Sequence, residues 1–279
     1  SSAASDVYKR QDMSNYKMIV MDMDDTLINS ENKVSKETKN YLIDIQNQGY
    51  KVVLASGRPT EGMLPIAKEL ELDVHDSYII SYNGGKTIKV ATEEVEVSQS
   101  VSKKNFDLIV DFCREHNFLI LTYQDGHIIH DGDHEYRDIE SELTGLPMKR
   151  VNDIKAYIND SVPKAMGVDY ATNIAKVRDD MHGSFNSEID VTTSKPFFLE
   201  FMAKDVSKGN AIKALCEKLN VSLSEVICFG DSLNDQSMFE VVGCAIAMGN
   251  ANEELKAIAD KITLDNDSNG IPAALKTLL

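Results

Sequence analysis

The sequence predicts an α/β protein built around a doubly wound, mostly parallel sheet, and two observations carry that prediction. Short apolar runs recur along the chain, and each is followed by Gly, Asp, Asn or Ser, a pattern typical of buried parallel strands that end in functional loops. Helical patterns lie between these runs, as connections between parallel strands require. Ligands of such sheets bind at the carboxyl ends of the strands, so the polar residues there are the first candidates for function.

Six apolar runs predict the strands of this Rossmann-like core: Met18–Met21, Val52–Ala55, Tyr78–Ile80, Val226–Phe229, Ala245–Met248 and Ile262–Leu264. Three helices between them have recognisable starts. Ser35 and Ser207 are N-cap residue types placed just before amphipathic patterns, and Pro59 is suited to the first turn of a third helix. Gly49 ends the first of these helices. The strands and helices therefore alternate as a doubly wound fold requires.

The alternation breaks in the middle of the chain, and residues 86–202 predict a separate α+β domain inserted as a cap. The segments Glu188–Thr193 and Phe197–Met202 have the pattern of two closing antiparallel strands. The core then consists of residues 13–85 and 203–279. An insertion at a loop tip is well tolerated because the two chain ends of the core lie close together there.

Composition restricts the partners of this 279-residue chain. Its formal net charge of −16 disfavours nucleic acid and anionic membranes, which both require clustered cations, and no apolar run approaches the roughly 20 residues of a membrane span. The four cysteines contain no C-x-x-C pair, which favours buried thiols in a reducing cytoplasm. Residues 1–12 have the composition of a disordered lead or an expression remnant, with Met13 as a natural start. We expect a cytoplasmic monomer or homodimer.

Two carboxylates directly follow the first predicted strand. The alternation of side chains along an extended segment places Asp22 and Asp24 on one side, with Met23 turned away. Such a pair repels unless a cation lies between the two carboxylates or one is protonated. Both conditions suit phosphoryl transfer, in which one carboxylate attacks phosphorus and the other protonates the leaving oxygen. A solvated acidic turn has the same spacing, so the pair alone leaves both interpretations open.

A second acidic segment, Gly230–Asp235, follows another predicted strand. Asp231 and Asp235 add two carboxylates at the same edge of the sheet. Oxygen ligands without a neighbouring His or Cys suit Mg²⁺, which binds through a few carboxylates, substrate phosphate and water. The alternative is that Asn234 and Asp235 simply cap the next helix.

Two further segments could bind phosphate. Lys208 lies at the start of the helix capped by Ser207, where the helix dipole disfavours a cation, so an anionic partner is expected. Ser56 and Gly57 place a hydroxyl and an unhindered N–H at the end of the second strand. Each signal is weak alone, because a lysine at a helix start is usually solvated.

Together these segments occur in the order Asp-x-Asp-x-Thr, Ser-Gly-Arg, Lys and Gly-Asp-x-x-Asn-Asp. This order resembles the haloacid dehalogenase superfamily of phosphatases, and more narrowly its Cof-type subfamily with a type IIB cap. The resemblance extends from Met13 to Leu279. It includes Asn83 before the predicted insertion and the late segments Met248–Ala251 and Ser268–Ile271.

The resemblance implies a role for each matching carboxylate. Asp22 would be the nucleophile that forms an aspartyl phosphate, and Asp24 the general acid and later the base for water. Asp22, Asp231 and the backbone carbonyl of Asp24 would hold Mg²⁺, and Asp235 would ligate or orient from close by.

The resemblance also implies the phosphate contacts and one departure. The phosphoryl oxygens would be bound by the backbone or side chains of five residues, Met23, Ser56, Gly57, Lys208 and Asn234. Thr26 would brace the loop. The family usually has Gly where this chain has Asp25, from which we expect reduced tolerance of loop geometry with activity retained.

The function predicted from these residues is Mg²⁺-dependent hydrolysis of a small phosphorylated metabolite. Sugar phosphates, flavin mononucleotide and pyridoxal phosphate are all substrates in the family. A cap over the site would exclude water and limit substrate size, so proteins and nucleic acids are poor candidates. A phosphomutase or phosphotransferase using the same intermediate remains an alternative, as does a non-catalytic phosphoryl-binding module.

Two other patterns suggest different chemistry. The segment Gly230–Leu233 matches the start of a serine esterase motif with Ser232 as nucleophile. The histidine partner of that motif follows the serine, but the last histidine of this chain is His182. Three histidines and two aspartates could form a metal cluster: His127, His130, His134, Asp131 and Asp133. They lie on a predicted strand and turn of the cap, so their side chains need not converge.

Overall fold

The computed structural model describes residues 15–279, which form two sheets. The predicted lead, residues 1–12, and the predicted start at Met13 lie outside the described residues. The strands are β1 (Met18–Met21), β2 (Lys51–Ala55), β3 (Tyr78–Ser81), β4 (Lys86–Lys89), β5 (Val95–Ser98), β6 (Leu119–Gln124), β7 (His127–His130), β8 (Met148–Arg150), β9 (Ala165–Val168), β10 (Ser184–Asn186), β11 (Ile189–Thr192), β12 (Phe198–Ala203), β13 (Val226–Gly230), β14 (Cys244–Ala247) and β15 (Lys261–Ile262).

Three of the described helices begin directly after the predicted start residues Ser35, Pro59 and Ser207. The described helices are α1 (Lys36–Asn47), α2 (Thr60–Glu69), α3 (Lys103–Glu115), α4 (Ile139–Thr144), α5 (Ile154–Tyr157), α6 (Ala171–Met181), α7 (Lys208–Leu219), α8 (Gln236–Phe239), α9 (Glu253–Ile258) and α10 (Gly270–Leu278). The side chains of Ser35 and Ser207 accept the N–H groups of Thr38 and Asn210, which satisfies donors that the helix itself leaves free.

The first sheet has the strand order β15-β14-β13-β1-β2-β3-β4-β5. Neighbours from β15 to β3 are parallel, whereas β3–β4 and β4–β5 are antiparallel. The predicted doubly wound, mostly parallel sheet is therefore confirmed. The β4–β5 hairpin extends this sheet, and the division into residues 13–85, 86–202 and 203–279 stays a prediction.

Helices cover both faces of the first sheet because its buried strands are apolar on both sides. Along β1, Ile19 and Met21 pack with α1, α2 and α10 on one face. Met18 and Val20 pack with α7, α8 and α9 on the other face. This double packing fixes the carboxyl ends of β1, β2 and β13, from which the candidate residues project.

The second sheet has the order β10-β11-β12-β9-β6-β7-β8, and only the β7–β8 pair is parallel. Helices α3 and α6 pack on one face. The other face packs with α4 and with Tyr82, which follows β3 of the first sheet. The second sheet therefore lies as a cap over the edge where β1, β2 and β13 end, in agreement with the predicted fold class. In the described part of the chain, no helix combines the length and the apolar character that crossing a membrane requires.

Candidate active site

The loop after β1 places its two carboxylates differently. Asp22 is buried, and its Oδ1 accepts the Met23 N–H at 2.8 Å. The Met23 side chain is buried in the core of the first sheet, on the side away from the site. Asp24 is partly exposed, and both of its oxygens are bound by Arg58. The loop thus brings both predicted carboxylates to one cavity but gives them separate partners.

Three buried carboxylates form a cluster beside this loop. One oxygen from each of Asp22, Asp231 and Asp235 lies within 4.8 Å of the others. Asp231 Oδ1 also accepts the Thr26 hydroxyl at 2.9 Å, which joins the loops after β1 and β13. Asp235 Oδ2 accepts the Asp231 N–H at 2.9 Å. A buried set of oxygen ligands at this spacing is consistent with a divalent metal site.

Lys208 is the cation within this cluster, and its side chain is completely buried. Its Nζ donates to Asp22 Oδ1 at 3.0 Å and to Asp235 Oδ1 at 2.7 Å. These carboxylates are the anionic partners expected for a lysine at the start of α7. One ammonium facing three carboxylates leaves excess negative charge, which a divalent cation would neutralise.

Burial and mutual repulsion shift the protonation of the cluster. Burial and the charge of Asp235 raise the pKa of Asp22 to about 6. Burial, Asp22 and Asp235 raise the pKa of Asp231. Burial alone would lower the pKa of Lys208, but the carboxylates of Asp22 and Asp235 outweigh it and raise that pKa. The ammonium therefore stays charged, while the carboxylates gain stability from any added cation.

The candidate phosphate-binding residues surround a small cavity at the strand ends. Asp22, Asp24, Ser56, Gly57 and Asn234 line it. Lys208 lies behind the carboxylate of Asp22 and outside this lining, and the buried side chain of Met23 also lies outside it. Five of the predicted site residues thus meet at one place.

The cap closes the cavity from above through seven residues, Glu140, Leu143, Lys164, Ser194, Lys195, Phe198 and Glu200, together with the core residue Arg58. The enclosed volume is about 20 Å³, which holds roughly one water molecule. This space is too small for a phosphate ester in the arrangement of cap and core that the structure shows.

A buried network joins the cap to the strand ends. Lys164 and Glu200 are each 1% exposed and form an ion pair at 2.5 Å. Lys164 Nζ also donates to the Gly57 carbonyl, and Glu200 Oε2 accepts from Asn83 Nδ2 at 3.1 Å. Asn83 in turn accepts from Asn234 Nδ2 at 2.9 Å. The cap thus contacts the two segments that carry Gly57 and Asn234.

Comparisons with known proteins agree with this geometry. The family model of haloacid dehalogenase-like hydrolases matches residues 19–275. The chain belongs to this family. The YxeH protein of Bacillus subtilis is 30% identical over 268 residues, covering 95% of this chain and 98% of its own. The phosphatase YwpJ of the same organism is 29% identical over 289 residues, covering 94% and 100%.

A solved structure supports the same assignment. A haloacid dehalogenase-like hydrolase from Bacteroides thetaiotaomicron superimposes with a TM-score of 0.83 at 34% identity, covering 95% of this chain and 100% of its own. The predicted resemblance to Cof-type, subclass IIB members with a cap is confirmed. The chain is a phosphatase of the haloacid dehalogenase superfamily.

Arg58 is a further site residue of this hydrolase. It completes the Ser-Gly-Arg segment, but no role was predicted for it. Its Nε and Nη2 donate to Asp24 Oδ2 and Oδ1 at 2.8 and 2.7 Å. Its Nη1 donates to the Gly62 carbonyl at 3.0 Å, so the guanidinium is itself fixed by α2. Arg58 thereby orients the carboxylate predicted to act as acid and base.

Asp25, the residue that departs from the family pattern, has a backbone φ of 61°. This is the left-handed region that favours glycine, which gives a physical reason for Gly at this position in the family. The Asp25 carbonyl accepts from Asn250 Nδ2 at 2.8 Å, and its carboxylate binds Nζ of the cap residue Lys195. The side chain thus adds a contact between the cap and the loop that carries Asp22.

The other sequence patterns do not assemble into sites in the described residues. His127 and His130 bind backbone carbonyls through Nδ1, and His134 Nε2 lies 3.0 Å from Asp169 Oδ1. Ser232 donates its hydroxyl to Asn234 Oδ1 at 2.8 Å, so it is engaged within its own turn.

Proposed function

We propose that this chain hydrolyses a small phosphomonoester through an aspartyl phosphate on Asp22. The observation that carries the proposal is the position of Asp22. It is buried at the end of a central strand, hydrogen-bonded by Lys208 and the Met23 N–H, and it lines the closed cavity. A carboxylate held in this way is positioned for attack on a phosphorus atom bound there.

In the first step, a carboxylate oxygen of Asp22 forms a bond to phosphorus as the bond from phosphorus to the ester oxygen breaks. Asp24 donates a proton to the departing alcohol. In the second step, Asp24 takes a proton from water, which attacks the aspartyl phosphate and releases inorganic phosphate. Arg58 donates to both oxygens of the Asp24 carboxylate, so one of these two hydrogen bonds must open when that oxygen carries the proton of the first step, while the other keeps the group facing the cavity.

The phosphoryl oxygens would contact the backbone at Met23 and Gly57, the Ser56 hydroxyl and the Asn234 amide. Lys208 orients Asp22 and favours its ionised form against the opposite effect of burial and Asp235. Asp22, Asp231 and Asp235, with the Asp24 carbonyl, would hold Mg²⁺, whose charge when bound offsets that of the transferring group.

The residues that line the cavity favour a small polar substrate, and we infer a sugar phosphate. Charged and hydroxyl side chains form most of the wall, and Phe198 is the aromatic residue among the lining residues described. A closed cap excludes bulk water, which favours hydrolysis by one bound water over wasteful side reactions. A phosphomutase or phosphotransferase would need space in the cavity for a second hydroxyl compound, which accepts the phosphoryl group in place of water.

The test is phosphate release from hexose phosphates, flavin mononucleotide and pyridoxal phosphate, with Mg²⁺ and with EDTA. We expect Mg²⁺-dependent release, fastest from a sugar phosphate, and loss of turnover by more than about 1,000-fold in Asp22→Asn with unchanged circular dichroism. Retained turnover in that variant would exclude Asp22 as nucleophile. Phosphate moving to an added alcohol in place of water would indicate a phosphotransferase.

A further inference from the structure

Glu140 is a cap residue that the reaction proposed above does not use. It lies on α4, is 5% exposed and lines the cavity. Its Oε1 accepts the Tyr123 hydroxyl at 3.0 Å. No lysine, arginine or histidine among residues 15–279 forms an ion pair with it within 4.0 Å. A carboxylate has about four acceptor sites, so most of the acceptor capacity of Glu140 remains for a bound molecule.

The cations of the cavity wall contrast with Glu140, because each is already neutralised. Arg58 is bound to Asp24 and Lys164 to Glu200. The third, Lys195, is bound to Asp25. A second anionic group on the substrate would therefore meet no free cation among the lining residues, and it would face Glu140, which has the charge of Lys164 nearby but no ion pair of its own.

The position of Glu140 is fixed by aromatic packing. Tyr123 lies on the interior strand β6, and its ring packs edge-on against Tyr82 with the ring centroids 5.5 Å apart. Its hydroxyl therefore holds Glu140 on the wall opposite the strand ends, where the alcohol part of an ester would lie. A group held in this way loses little freedom when it binds a ligand.

We propose that Glu140 selects the leaving alcohol: it accepts hydrogen bonds from hydroxyl or ammonium groups and disfavours esters that carry a second phosphate or a carboxylate. The proposal rests on the proposed phosphatase function and names its substrate class as monophosphates of neutral or amino sugars and polyols. Burial raises the pKa of Glu140 to about 7 because it disfavours the charged carboxylate. An ammonium group on the ligand would stabilise that charged form.

The experiment compares kcat/KM for glucosamine 6-phosphate, glucose 6-phosphate and fructose 1,6-bisphosphate. We expect the wild-type protein to prefer them in that order. In Glu140→Gln the ratio of kcat/KM for glucosamine 6-phosphate to that for glucose 6-phosphate should fall about tenfold, as expected for one lost charge-assisted hydrogen bond. The kcat/KM for fructose 1,6-bisphosphate should rise relative to that for glucose 6-phosphate. Glu142→Gln, an exposed change on the same helix, is the matched control and should leave both ratios unchanged.

Binding separates this proposal from the phosphatase reaction. Calorimetry with Asp22→Asn measures the affinities for the same three esters without turnover, and the Glu140→Gln change is then added. The same order of affinities, reduced by Glu140→Gln, supports the Glu140 assignment even if no ester is hydrolysed. Two results would overturn it: ratios of affinity that Glu140→Gln leaves unchanged, or tightest binding of the bisphosphate when Glu140 is present.

Discussion

Replacing Glu140 by Gln should change how the stability of the protein depends on pH. In the folded protein burial raises the pKa of Glu140 from 4.5 to about 7, so the folded state binds a proton that the unfolded state releases between those values. Stability from this group is therefore lost as the pH rises from about 4.5 to 7. A pKa change of one is worth about 1.4 kcal/mol, so Glu140 contributes a loss of about 3 kcal/mol across that range.

The assay is urea denaturation of both proteins in EDTA at pH 5 and pH 8, with two spectroscopic probes to check that unfolding is two-state. Glutamine stays neutral, so the free energy of unfolding of Glu140→Gln should rise by about 2.5 kcal/mol relative to that of the wild-type protein between pH 5 and pH 8. Glu142→Gln should follow the wild-type curve because its carboxylate is exposed. Parallel pH curves for Glu140→Gln and the wild-type protein would refute the idea that burial raises the pKa of this carboxyl.

Three further substitutions test the contacts around the cavity. Arg58→Lys should lower kcat about 10- to 100-fold, because an ammonium cannot hold both oxygens of Asp24, and the pH–rate profile should shift with it. Lys164→Met should destabilise the protein by about 3–5 kcal/mol in urea because Glu200 stays buried without its partner, and adding Glu200→Gln should restore most of the loss. Asp25→Gly removes the carboxylate that binds the Lys195 ammonium of the cap. The ratio of kcat/KM for the bisphosphate to that for glucose 6-phosphate should then rise about tenfold, and an unchanged ratio would contradict that reasoning.

The core could be predicted from sequence because its signals are local. An apolar run that ends at Asp22, or a serine placed just before an amphipathic pattern, depends on neighbouring residues only. Parallel strands then bring their ends to one edge, which is why Asp231 meets Asp22 across 209 positions of sequence. The separation of Asp24 from the cluster was not foreseeable, because it depends on where the Arg58 guanidinium lies.

The cap side of the cavity could not be predicted because its contacts are non-local. Lys164 binds Gly57, which precedes it by 107 residues, and no spacing rule connects them. Glu200 gave one usable signal, since a carboxylate in the middle of the apolar segment Phe197–Met202 must have a buried partner. Glu140 gave no such signal, because a glutamate in the first turn of a short helix is usually stabilised by the helix dipole and faces solvent.

A chain with a net negative charge repels phosphate on the whole, and the arrangement of the cations at the site indicates how phosphate could still be attracted. The net charge is −16, and the lysines and arginine of the site are already bound to carboxylates. Neutral donors such as the Ser56 hydroxyl and the Gly57 N–H can hold a phosphate dianion, but they do not offset its charge. The cation that the carboxylates of Asp22, Asp231 and Asp235 could bind would then provide the attraction. Phosphate binding and metal binding should therefore be coupled, and because the cap cations are already paired, the choice of alcohol is left to Glu140.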